Sequence, residues 1–270
     1  MLAPPEDEPY ILEGTEHCTM QAIKKTVGDI PVLIYKGTSS KGGLVLIQYV
    51  QTQEWWGITE ELKLQAQHVV AYKGCTVLLP DLYNGKSTLD AEEAHHLMDN
   101  LDWPKAVEGL GKVAQHLKEE EGCENVGVMG FCMGGALATA ASVNCTGEDG
   151  KPIFACGLPF YGIPPKELAD PATLKVPLSC HFGGRDNMEG FSDPPSQDKF
   201  EEALKESKTD FEFFRYPTVG HAFMNSLPDS VSRKKELGQI GDNDDDPKHD
   251  PESISTAWAR AFSFLQKYSI

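Results

Sequence analysis

The feature that most restricts how this chain can fold is a regular alternation of short apolar runs with longer amphipathic stretches. Runs rich in β-branched and aromatic residues occur at Val32–Tyr35, Leu44–Val50, Thr76–Leu79, Val126–Met129, Ala155–Tyr161, Leu178–Phe182 and Phe211–Tyr216. Their lengths and compositions are those of strands. Between them, Thr59–Tyr72, Pro104–Glu120, Met133–Ser142, Gln197–Glu206 and Ile254–Tyr268 carry apolar residues three or four apart, the spacing of a helix with one buried face. Strand alternating with helix predicts an α/β fold with a mostly parallel sheet. Several runs are hydrophobic at successive positions, so helices are expected on both faces, the doubly wound arrangement. Ligands in such sheets sit beyond the carboxyl ends of the strands.

A chain of 270 residues that is 40% apolar can bury one sizeable core, and a single domain over residues 1–270 is expected. Its formal charge of −17 repels phosphate backbones and anionic lipid, which argues against nucleic acid or a membrane as partner. The longest apolar run, Gly43–Val50, is broken by Gln48 and is less than half of the roughly 20 residues a spanning helix needs. The first residues, Met1 to Glu8, are acidic and proline-bearing, unlike a secretory signal, and a soluble cytoplasmic protein is expected. The seven cysteines are odd in number and mostly inside apolar segments, which favours reduced thiols.

The segment from Glu124 to Ala138 reads as a buried strand, a glycine-flanked turn and a helix of small residues. Within it, Gly130-Phe131-Cys132-Met133-Gly134 has the form of a G-x-nucleophile-x-G elbow. The nucleophile of such an elbow sits at a strained backbone position, and the flanking glycines make room for the turn. At a helix N-terminus the partial positive charge favours thiolate over thiol at Cys132. The Met133 amide then points at the space above the sulfur, where an oxyanion would form. Glycine-rich turns also close loops or bind phosphate, but the Gly-Lys-Ser/Thr ending of a phosphate loop is missing.

Two later segments supply an acid and then a base. Leu178 to Phe182 runs into Gly183-Gly184-Arg185-Asp186, and Asp186 would orient an imidazole and stabilise its charged form. Phe211 to Tyr216 leads to Gly220-His221, which puts His221 beyond a strand end where a general base belongs. The remaining histidines, at 17, 68, 95, 96, 116, 181 and 249, read as solvated or packed. None has the spacing of a zinc site, no Cys-x-x-Cys pair occurs, and neither a metal nor another cofactor is implied. The acidic run Asp242–Asp246 lacks the glycine and glutamate of a calcium loop, since Pro247 and Ser253 stand in their places.

Taken together, Gly130 to Gly135, Gly183 to Asp186 and Gly220-His221-Ala222-Phe223 resemble the dienelactone hydrolase family of the α/β-hydrolase superfamily. Gln53-Glu54-Trp55-Trp56-Gly57 looks like the family's Q-E-x-x-G motif, and Pro80-Asp81-Leu82-Tyr83 like its P-D-L-Y. The resemblance implies an α/β-hydrolase fold, Cys132 as nucleophile, and Asp186 and His221 completing a triad. It further implies that Glu54 contacts the resting thiol and that the backbone amides of Trp55 and Met133 form the oxyanion hole.

The chain departs from the family in its substrate grip. An arginine just after D-L-Y, with a serine and an arginine around the G-H motif, hold a substrate carboxylate in dienelactone hydrolases. Here those places are Asn84, Ala222 and Asn225. Losing such charge-assisted contacts argues against the dienelactone itself as substrate, unless Lys86 or Arg185 substitutes. Tyr49 to Gln53 also looks like an insertion ahead of Glu54, and displacing the Trp55 amide would weaken the oxyanion hole. The leading expectation is a hydrolase of small-molecule esters, lactones or thioesters working through an acyl-thioester. The alternatives are a catalytically weak or idle hydrolase fold that binds a small molecule or protein, and a redox-sensing thiol protein.

Overall fold

The computed structural model describes residues 20–38, 41–47, 58–83, 85, 101–226, 231–232 and 250–270. Its strands are β1 (Ile23–Val27), β2 (Ile30–Tyr35), β3 (Gly42–Ile47), β4 (Thr76–Pro80), β5 (Asn125–Phe131), β6 (Cys156–Phe160), β7 (Leu178–Gly183) and β8 (Phe211–Tyr216). The helices are α1 (Glu60–Lys73), α2 (Trp103–Glu119), α3 (Met133–Asn144), α4 (Pro194–Ser207) and α5 (Pro251–Lys267). The strands form one sheet in the order β1-β2-β4-β3-β5-β6-β7-β8, parallel from β4 to β8 and antiparallel where β2 meets β1 and β4.

Every residue of β3, β4, β6 and β7 is buried, as continuous apolar runs require when both faces are covered. Two adjacent glycines mark the two layers. A Cβ on Gly42 would run into Ile270, just past α5, whereas one on Gly43 would meet Leu117 of α2 and Cys123. Helix α1 joins α5 on its face, with Tyr72 stacked on Phe262 at 4.3 Å and His68 edge-on to Trp258 at 5.2 Å.

Local chemistry explains the helix limits. The Thr59 side chain accepts the Leu62 amide at the start of α1, and Gly74 ends it in the left-handed conformation, φ 66°. Asp102 and Asp250 cap α2 and α5 in the same way, each followed by proline in the first turn.

Among the described strands, β1 is the one not expected from sequence. Four of its five residues are exposed, so it carries no hydrophobic pattern, and pairing with β2 across the Gly28-Asp29 turn is what makes it a strand. The run expected over Leu44–Val50 begins earlier and is a strand to Ile47. Residues 48–50 lie outside the described residues, as do Tyr49–Gln53 and Asp242–Asp246.

Candidate functional site

Three loops at the carboxyl ends of β5, β7 and β8 converge on one point. Cys132 follows β5 directly with φ 54° and ψ −120°, a conformation unfavourable for any residue with a Cβ. Its amide donates to the Phe160 carbonyl at 3.0 Å, and its carbonyl accepts from Gly135 and Ala136 at 2.8 and 3.1 Å, which hold the turn in place. A side chain at Gly130 would collide with the Gly134 carbonyl, so the elbow closes only with glycine there. Met133 opens α3, and its amide belongs to the N–H groups that have no acceptor within their own helix.

Asp186 is buried on the turn after β7, with Oδ1 accepting the Met188 amide at 3.0 Å. The free oxygen, Oδ2, lies 2.8 Å from Nδ1 of His221, and Nε2 of that ring lies 3.3 Å from the Cys132 sulfur. The Asp186 and His221 loops can approach this closely because Gly183 offers no side chain where the Gly220 carbonyl passes. Burial alone would depress the His221 pKa, but the Asp186 carboxylate and Cys132 outweigh it and raise the value to about 10.

The His221 loop is braced from α1. Glu61 Oε1 accepts the Ser226 amide at 2.6 Å, and Gln65 Nε2 donates to the Met224 carbonyl at 3.3 Å. Over the ring lie Tyr161, edge-on at 5.1 Å, and Phe191 at 6.2 Å. In the P-D-L-Y segment, the Asp81 carboxylate accepts the amides of Tyr83 and Gly85 at 3.0 and 2.6 Å. That turn sets the Tyr83 hydroxyl 3.3 Å from the Met133 sulfur, in a setting where burial, then the Cys132 charge, push its pKa up.

The structure thus brings Cys132, Asp186, His221 and Met133 together. Glu54 and Trp55 lie outside the described residues, as do Asn84 and Lys86. Ala222 and Asn225 are buried beside His221, and Arg185 is exposed. Two features of the site carry no sequence motif: the α1 brace and Ser192, whose hydroxyl lies 3.0 Å from His221 Nδ1.

The other described histidines are packed. His181, fully buried, stacks on Phe160 at 4.3 Å and lies between the hydroxyls of Ser179 and Tyr216, and burial lowers its pKa to about 3. Burial against Trp258 and Phe262 brings His68 to about 4. His116 lies 3.2 Å from Glu121. His17, His95, His96 and His249 are outside the described residues. Among the described residues no three metal-binding side chains converge, and no helix is long and apolar enough to cross a membrane. A cavity of about 830 Å³ opens between α2 and the segment that follows α3, lined by Val107, Lys112, His116 and Cys145, and none of the site residues borders it.

A parallel sheet covered on both faces, with a cysteine elbow, a carboxylate and an imidazole at successive strand ends, is an α/β-hydrolase fold. The model of the dienelactone hydrolase family matches residues 32–269, and the chain belongs to that family of hydrolases. It is 26% identical over 261 residues to the carboxymethylenebutenolidase of Rhodococcus opacus, covering 93% of this chain and 92% of the relative. Among solved structures it is similar to a dienelactone hydrolase-like promiscuous phosphotriesterase from metagenomic libraries (TM-score 0.69, 16% identity, 92% of this chain and 97% of that one). The dienelactone hydrolase of Anabaena variabilis is also similar, with TM-score 0.60 and 16% identity over 92% of this chain and 97% of that one.

Proposed function

We propose that this chain hydrolyses an ester, lactone or thioester through a Cys132–His221–Asp186 triad and an acyl-thioester intermediate. The observation that carries the reading is the unbroken line from the Cys132 sulfur through His221 to Asp186, at 3.3 and 2.8 Å, with the sulfur at the tip of a strained elbow. His221, with its pKa raised to about 10, is able to hold a proton beside the Cys132 sulfur.

The thiolate attacks the carbonyl carbon, and the resulting oxyanion is held by the Met133 amide and, by family resemblance, that of Trp55. As the carbon–oxygen or carbon–sulfur bond to the leaving group breaks, His221 passes its proton to that group. Neutral His221 then takes a proton from water, whose hydroxide attacks the thioester. Breaking the carbon–sulfur bond restores the thiolate beside the imidazolium. Asp186 keeps Nε2 directed at the sulfur throughout. Glu54, again by resemblance, contacts the thiol between turnovers.

The substrate we infer is a small neutral acyl compound. Ala222 and Asn225 stand where relatives carry carboxylate-gripping side chains, and Tyr161, Phe191 and Tyr83 give the site an aromatic surround. The reduced cysteine on which the reaction depends suits a cytoplasmic location.

The test is rapid-mixing kinetics with an activated aryl ester. The parent should release one equivalent of phenol in a burst before steady turnover, and His221→Ala should abolish the burst. A parent without a burst and without steady hydrolysis would overturn the proposal.

A further inference from the structure

We propose that Ser192 is a positioning residue for His221, sharing the Nδ1 proton with Asp186 and fixing the plane of the imidazole; this rests on the triad reading above. Ser192 Oγ lies 3.0 Å from His221 Nδ1, next to the 2.8 Å contact with Asp186 Oδ2. Nδ1 carries one hydrogen, so the two oxygens form a three-centre bond around it. One acceptor fixes a distance, whereas two on either side of the N–H also resist rotation of the ring. The ring then presents Nε2 to the Cys132 sulfur at 3.3 Å.

The hydroxyl is held there by the loop that bears it. Ser192 is fully buried, and its amide, with those of Phe191 and Asp193, donates to the Met188 carbonyl at 3.0 to 3.2 Å. From α4, the buried Gln197 amide group donates to the Ser192 carbonyl at 2.8 Å and to the Gly183 carbonyl at 2.9 Å. One side chain therefore ties the Ser192 backbone to the strand end that supplies Asp186. The Met188 amide completes the link by donating to Asp186 Oδ1 at 3.0 Å. Both acceptors of the Nδ1 proton thus belong to one rigid unit, set by β7 and α4.

Of the titratable groups among the described residues, Asp186, Cys132 and Tyr161 face the His221 ring. Ser192 carries no charge, and Nδ1 keeps its hydrogen in both forms of the ring, so its contribution is a hydrogen bond that is stronger from the imidazolium than from the neutral imidazole and therefore favours the charged form. Removing it should lower the titration midpoint of His221 by about 0.4 to 1 pH unit, from the roughly 1 kcal/mol by which a hydrogen bond to a charged partner exceeds one between neutral groups.

The experiment is an NMR titration of the His221 imidazole in isotope-labelled parent, Ser192→Ala and Ser192→Cys proteins. The near-isosteric cysteine, a poor acceptor, keeps the test valid if the alanine variant misfolds. Both variants should titrate below the parent, and the alkaline limb of ester acylation should move by the same amount while KM stays within about twofold. Superimposable His221 titrations in parent and a folded variant would overturn the proposal. The NMR midpoint does not require turnover, so a parent that fails to hydrolyse esters would sink the hydrolase reading and leave the Ser192 result readable.

Discussion

Gly162→Ala tests whether the elbow at Cys132 is as tightly built as its geometry states. A Cβ at Gly162 would fall inside the Cys132 carbonyl oxygen and 2.8 Å from the Ala136 amide nitrogen. Both atoms are fixed, since that carbonyl accepts from Gly135 at 2.8 Å and Ala136 at 3.1 Å, and the Cys132 amide is tied to Phe160 at 3.0 Å. Relief requires the elbow to shift by roughly 1 Å, on the scale at which misplaced reacting groups lose about 10²-fold in rate. Overpacking a rigid site costs about 1–3 kcal/mol, and weakening one or two of these hydrogen bonds adds about 1–2 kcal/mol. We therefore expect about 2–5 kcal/mol less stability in urea unfolding, and acylation slowed about 10²-fold in stopped-flow assays with an aryl ester. A variant within about 0.5 kcal/mol of the parent that acylates at the parent rate would refute the reasoning.

Other expectations follow from the same contacts. Asp186→Asn removes the charge that orients His221, and the loss of acylation rate should be about 10²–10⁴-fold, measured in single turnover. Because folding raises the His221 pKa from 6.5 to about 10, its stabilising contribution is complete below pH 6.5 and fades as pH rises to about 10. Urea midpoints of parent and His221→Gln should accordingly draw together over that window, and a gap that widened with pH would contradict the assignment. Trp258→Ala removes a buried side chain in contact with His68, Phe131 and Phe262, and should cost about 3–5 kcal/mol in unfolding experiments. His68, held near 4 by burial, should then titrate closer to its ordinary value by NMR.

The sequence displayed the parts of this molecule whose physics is local. Buried parallel strands must be apolar on both faces, so β3 to β7 were visible as runs, whereas the half-buried edge strand β8 showed by its aromatic residues. The elbow and the turns before Asp186 and His221 were visible because close backbone approach at Gly130 and Gly183 admits no side chain, and glycine is easily read. Strand β1 was hidden because its exposed Ile23-Lys24-Lys25-Thr26 surface has no reason to be apolar. The brace from Glu61 to Ser226 joins residues 165 apart, and nothing near either position marks it. Ser192 escaped for a similar reason. A serine in a Gly-, Asp- and Pro-rich loop looks like turn chemistry until the fold sets it beside His221.

Acyl transfer to Cys132 is the claim on which the rest depends, and trapping the intermediate tests it most directly. The parent is mixed with excess aryl ester, quenched in acid within the burst, digested and analysed by mass spectrometry beside Cys132→Ala. One acyl group on the peptide containing Cys132, absent in the variant together with hydrolysis, is the result predicted. Acylation of a different residue, or a Cys132→Ala protein that hydrolyses the ester at the parent rate, would contradict it.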